Sequence, residues 1–215
     1  IDDSTTVAAA IALDADQIER LSQRDAAVLW RPRSDARLYG NTAPVVALAQ
    51  RGVPIAIGSN WVVTGSMNLL RELACADELN QRNLGGFFSN RELWRMVTGH
   101  AARAMGTRDV GILREGAIAD VTIFDGRSRM DYRAVLDAEP RDVLLVLRGG
   151  EALNGNAPLV AGLDATDCET IDVCGVDKSI CSERLYGQTT ATILASAPAG
   201  SLGLFACGAP ATEPT

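Results

Sequence analysis

A run of apolar residues, Val53-Pro54-Ile55-Ala56-Ile57, stops at Gly58-Ser59 and places one polar side chain, Asn60, directly beyond it. So short a run suits a buried strand better than a helix, and the abrupt Gly-Ser ending marks its C-terminal tip. In barrel enzymes the side chains at that end of a strand carry the chemistry. The chain continues through Thr64-Gly65-Ser66-Met67-Asn68 into the helix-like Leu69-Leu70-Arg71-Glu72-Leu73-Ala74-Cys75-Ala76-Asp77. The unit therefore reads strand, loop, helix.

Similar units precede it. Val7 to Leu13 reads as a buried strand, and Asp14 to Leu21 as a helix whose acidic first turn suits the helix dipole. Ala26 to Trp30 is a second apolar run, stopped by Pro32 and followed by a loop carrying Arg33 and Asp35. Asn41-Thr42-Ala43-Pro44 starts a helix that Gly52 closes, and Ser89-Asn90-Arg91-Glu92 caps a helix with apolar residues at 93, 94, 97, 101 and 105. This alternation predicts an α/β fold. Three strand-helix units cannot close an eight-stranded parallel barrel, and left alone they expose strand edges.

Composition narrows the function classes. With 215 residues, 47% of them hydrophobic, the chain is long enough and apolar enough for a sizeable core. A formal charge of −7 without a Lys/Arg-rich run argues against a nucleic-acid partner. No apolar stretch approaches the roughly 20 residues of a membrane span. The chain starts at Ile1 with no visible signal sequence, which gives the expectation of a piece of something longer.

The strand ending at Asn60, taken with Trp30-Arg31-Pro32-Arg33-Ser34 and with Gly111-Ile112-Leu113-Arg114-Glu115-Gly116-Ala117-Ile118-Ala119-Asp120-Val121, resembles the C-terminal part of the amidohydrolase superfamily from about Val7 to Leu163. The resemblance implies an incomplete (β/α)8 barrel, its last three strand-helix units over residues 1–106. Part of a small β-sandwich over 107–163 and a Cys-containing tail over 164–215 follow. The strands 120–125 and 143–150, the latter turning at Gly149-Gly150, belong to the sandwich. It also implies zinc or another divalent metal in the family, and a complementary N-terminal segment or chain that completes the barrel. The family aspartate that binds metal and handles the proton of the attacking water falls at Asn60, and a metal-binding histidine falls at Ala9. An amide is no general base near neutral pH, and a methyl group has no lone pair. This chain by itself is therefore expected to hold no cofactor and to be inactive.

Around the strand tips, Arg33, Tyr39, Trp61, Ser66 and Asn68 form a candidate substrate-binding rim that suits a small polar organic molecule. The alternative reading of the same residues is packing by Tyr39 and Trp61, capping by Ser66, and a first-turn contact by Asn68. Asp35 and Arg33 are either substrate contacts or a local ion pair. His100, the lone histidine, lies inside a helix pattern away from the strand tips and reads as structural.

Cys75 sits alone on a helix, where inert packing is expected. Cys168, Cys174, Cys181 and Cys207 fall in the tail, and their spacing lacks the tight pairs of zinc ribbons. Two disulfides are expected: Cys168 with Cys174 or Cys181, and Cys207 with the remaining partner. They imply an extracytoplasmic (periplasmic or secreted) location.

Three functional readings follow. The first is a segment of a metal-dependent hydrolase of C–N (amide-like or cyclic amide) bonds. The second is a non-catalytic binding or assembly protein derived from that fold, and the third is an enzyme silenced by substitution at positions 9 and 60.

Overall fold

The computed structural model describes residues 2–196 together with Phe205 and Cys207. The chain divides into two compact units, one running to Glu115 and taking in Val135–Asp137, the other comprising Gly116–Ala134 and continuing from Ala138.

The first unit contains β1 (Thr6–Ala8), α1 (Ala15–Gln23), β2 (Ala27–Trp30), α2 (Pro32–Tyr39), α3 (Val45–Gln50), β3 (Ile55–Ile57), α4 (Leu69–Asn83), α5 (Asn90–Met96) and α6 (Gly99–Ala104). Its strands form a parallel sheet in the order β1-β2-β3. Parallel strands covered on both faces read as unbroken apolar runs, and all of β3 is buried together with Ala27, Val28 and Trp30 of β2. Trp30 is fully buried, with its ring 6.2 Å from that of Phe88, and its indole N–H donates to Thr42 Oγ1 at 2.7 Å. A buried indole needs such an acceptor.

The helices start where the sequence offers caps. Asp14 accepts from the Gln17 amide while the Gln17 side chain accepts from the Asp14 amide, and Ser89 and Glu92 do the same for α5. Several expectations need correction. The strand expected over 7–13 ends at Ala8, because Ala9 turns into the left-handed region at φ 53° and breaks the pleat. The loop expected after Trp30 is helix α2, since Pro32 occupies the first helical position, where its missing N–H costs nothing. The helix expected over 93–105 is two helices, α5 and α6, separated at Val97-Thr98.

The second unit holds β4 (Val121–Phe124), the first residues of a short helix α7 (Arg133–Leu136) whose remainder is assigned to the first unit, β5 (Val143–Arg148), β6 (Glu151–Asn156), α8 (Ala157–Ala161), β7 (Glu169–Val173), β8 (Val176–Ile180), α9 (Ser182–Tyr186) and α10 (Thr190–Ala195). Its sheet is antiparallel, in the order β4-β5-β6-β8-β7. Leu145, Ala152, Val160 and Cys181 form its buried cluster. The Lys178 ammonium is buried on β8 and donates to the carbonyls of Arg141 (2.9 Å) and Val143 (2.6 Å) and to Asn156 Oδ1 (2.6 Å). All three of its donors are thereby matched, as a buried charge requires. Burial pulls the Lys178 amine below its ordinary value of 10.5.

The tail contributes the β7–β8 hairpin to this sheet. Disulfides join Cys168 to Cys181 and Cys174 to Cys207, one of the expected pairing schemes, and Cys75, half-buried on α4, belongs to neither. No helix among the described residues is long and apolar enough to cross a membrane.

Gly155 on β6 has no space for a methyl group. An added Cβ would lie 2.7 Å from the Leu144 carbonyl oxygen and 3.0 Å from Leu145 Cα, both backbone atoms that cannot swing aside. Gly155→Ala should therefore destabilise the antiparallel unit by about 1–3 kcal/mol, measured by denaturant unfolding. An unchanged midpoint would contradict this packing.

Candidate functional site

The carboxyl ends of β2 and β3 point the same way, and the segments leaving them, α2 and the loop 58–68, are tied together by one buried carboxylate. Glu72, in the first turn of α4 and fully buried, accepts from the Arg33 amide through Oε1 at 3.0 Å and from the Ser66 amide through Oε2 at 3.2 Å. Arg33 Nε donates to Ser66 Oγ at 2.8 Å, and Ser59 Oγ donates to the Ser66 carbonyl at 2.7 Å. Gly65 packs closely here: a Cβ would lie 2.5 Å from Ser34 Oγ and 2.7 Å from Ser59 Oγ, so a larger residue would require both serine hydroxyls to turn away. The rim is thus fixed by a side chain that sequence reasoning did not single out. An acid in the first turn of a helix was the visible signal, but dipole stabilisation alone accounts for such a residue.

The sequence-predicted rim residues separate into two groups. Ser66 is 2% exposed and belongs to the network, and Arg33 sits on α2 rather than on a loop. Asn68, not Ser66, caps α4, its Oδ1 accepting from the Arg71 amide at 3.0 Å. Asn60, Trp61 and Tyr39 are exposed, and the following Val62 and Val63 are exposed with them. The turn carrying them closes through bonds from the Thr64 and Gly65 amides to the Trp61 carbonyl. The chain beyond β3 thus exposes the Asn60 amide, the Trp61 ring and apolar Val62 and Val63, whereas Tyr39 is exposed at the far, C-terminal end of α2.

Asp35 is fully buried on α2 and pairs with Arg31, Nη2 to Oδ1 at 3.0 Å. Burial raises its carboxyl above the ordinary value of 3.8, and the Arg31 guanidinium offsets part of that rise. Asp35 Oδ2 and Ser34 Oγ have no hydrogen-bond partner among the described residues. The ion pair is a local contact within one helical turn, but its cation is Arg31 and not Arg33, and it is buried on α2 rather than lying on a solvated loop.

His100 lies at the other end of β3. Pro54 O and Gly58 N bond to β2, so strand alternation turns the Ile55 carbonyl to the opposite edge, where His100 Nδ1–H donates to it at 3.1 Å. The imidazole therefore serves the base of the strand, not its tip.

The donor set at the tips does not fit a metal. Ala9 has a methyl group, Asn60 an uncharged amide, and His100 is committed elsewhere. Among the described residues no three His, Cys, Asp or Glu side chains converge. A zinc site needs three or more good donors together.

The amidohydrolase family model matches residues 1–153. The chain is 29% identical over 168 residues to a 5'-deoxyadenosine deaminase of Methanopyrus kandleri, covering 74% of this chain and 39% of that protein. It is 31% identical over 118 residues to a 5-methylthioadenosine/S-adenosylhomocysteine deaminase of Pelotomaculum thermopropionicum, covering 54% and 27%. Among solved structures, a zinc-bound adenosine deaminase from Xanthomonas campestris superposes with a TM-score of 0.66 at 21% identity, covering 71% of this chain and 37% of the other. Atrazine chlorohydrolase from Arthrobacter aurescens, complexed with zinc, superposes with a TM-score of 0.62 at 24% identity, covering 71% and 36%. The chain thus spans about two fifths or less of each of these proteins, and the two superpositions bear on the fold alone.

Two outcomes test this geometry. Glu72→Gln replaces an acceptor oxygen by a second donor facing a backbone N–H, so amide hydrogen exchange at Arg33 or Ser66 should accelerate by about tenfold or more; unchanged protection at both would show that Glu72 does not hold the rim. Burial holds the His100 imidazole below its ordinary value of 6.5, opposed by the Ile55 bond. As pH falls through 6.5 the unfolded chain takes up this proton first, so the unit loses stability below that point. In His100→Asn that slope should be absent from stability measured between about pH 5 and 7; the same slope in both proteins would assign it to other groups.

Proposed function

Because the chain belongs to the amidohydrolase family, we propose that it is the C-terminal segment of a metal-dependent hydrolase of C–N bonds, inactive as this chain alone. In this reading residues 1–106 are the last three strand-helix units of a (β/α)8 barrel, residues 107–163 are part of a small β-sandwich, and residues 164–215 are a Cys-containing tail. The edges of β1 and β3 that face away from β2 then take a complementary N-terminal segment or chain, the Ile55 carbonyl on the β3 edge being already bonded to His100. The observation that carries the reading is the parallel β1-β2-β3 sheet inside the family-matched region, with Asn60 following the end of β3.

Zinc, which two of the similar solved structures hold, would supply a Lewis acid and an activated water. The residues at this chain's strand tips do not fit that metal, so no catalytic step is assigned here. Exposed Asn60, Trp61 and Tyr39, backed by Arg33, Ser66 and Asn68, are proposed to contact a small polar organic molecule. The deaminases among the relatives favour an amino-bearing nucleoside as its class. Ala9 and Asn60 favour a second reading, a rim kept for binding or assembly after catalysis was lost. The two disulfides support an extracytoplasmic setting.

Two measurements with the purified chain test the proposal. Ammonia release from 5'-deoxyadenosine should stay at the uncatalysed background. Turnover that saturates with substrate and disappears in Asn60→Ala would refute inactivity. Mixed with a polypeptide carrying the barrel strands that precede the matched region in the Methanopyrus kandleri relative, the chain should form a one-to-one complex by native mass spectrometry. Persistent separation of the two would count against a complementary segment.

A further inference from the structure

The two disulfides of the second unit occupy different environments. Cys168 and Cys181 flank the Glu169–Ile180 pair that ends the β7–β8 ladder; Cys168 is half-buried against the unit's apolar cluster and Cys181 is fully buried within it. Cys174 lies at the other end, in the two-residue turn between the paired Val173 and Val176, and its partner Cys207 is exposed.

That turn is an unusual place for a cysteine. Cys174 and Gly175 have φ of 59° and 80°, so both central residues are in the left-handed region, which Asn-Gly adopts readily and other side chains resist. The turn itself therefore gives no reason for cysteine at position 174; the sulfur does. A residue held in a disfavoured conformation at a chemically reactive group points to a role for that group.

We propose that Cys174–Cys207 is a thiol–disulfide exchange site open to small thiols, while Cys168–Cys181 is closed to them. A thiolate attacks Cys207 Sγ, forming a mixed disulfide and expelling the Cys174 thiolate, which takes a proton from water. The second thiol of a dithiol reagent then attacks the mixed disulfide and releases Cys207, so the reagent leaves as its cyclic disulfide and the protein has gained two electrons and two protons. The hairpin keeps its ladder and its buried cross-link throughout. This inference rests on the second unit alone and is independent of the hydrolase reading.

The test treats the native chain with limiting dithiothreitol, quenches with acid, alkylates and maps the peptides by mass spectrometry. Cys174 and Cys207 should become alkylated together, at least about tenfold faster than Cys168 and Cys181. Equal rates, or earlier opening of Cys168–Cys181, overturn the proposal. The double variant Cys174→Asn with Cys207→Ser separates exchange from structural support. It should keep the Cys168–Cys181 bond and the amide protection of β8 seen in the parent. Loss of that protection would make Cys174–Cys207 a structural staple and likewise overturn the proposal.

Discussion

The candidate rim depends on one buried carboxylate. Glu72 reaches out of α4 and accepts from two backbone amides that belong to different strand-helix connections, Arg33 after β2 and Ser66 after β3. A charge with no solvent contact is tolerable only when its oxygens are matched, and each of these oxygens has an N–H donor. Ser59, Gly65 and Ser34 can close around the Ser66 turn because that turn is already fixed. Asn60 and Trp61 follow β3 after Gly58 and Ser59 and expose their side chains, while the Trp61 carbonyl closes the turn with the Thr64 and Gly65 amides.

The apolar runs made the parallel sheet legible. Val28, Trp30, Ile55 and Ile57 could hardly be anything but covered strand, and the capping residues Asp14 and Ser89 marked real helix starts. Misreadings arose where one residue type serves two opposite ends of an element. Pro32 stops the run of β2 and also starts α2, and of the two readings open for Ser66 the cap falls instead to Asn68, two residues later, which has the hydrogen bond. Ala9 gave no warning of its left-handed backbone, since alanine has no side-chain bond that favours that region.

Less of the site than of the sheet was visible. Asn60, Trp61 and Tyr39 are exposed, and the residue that orders the strand ends is another: the partners of Glu72 lie 39 and 6 residues away and are backbone atoms, which no side-chain pattern announces. In the sequence the tail announces itself through its cysteines. The alternation Glu169-Thr170-Ile171-Asp172-Val173 and the Cys174-Gly175 turn were present in it, and they place the hairpin as the last two strands of the antiparallel sheet. Cys168–Cys181 therefore closes one end of that ladder, and Cys174 lies in the turn at its other end.

The central claim is that this chain keeps the family's strand ends while lacking a metal site of its own. Native mass spectrometry of the purified chain after equilibration with zinc tests it most directly. The account predicts no stoichiometric zinc on the parent and the same spectrum for Asn60→Ala. One zinc per chain in the parent, lost in Asn60→Ala, would contradict it.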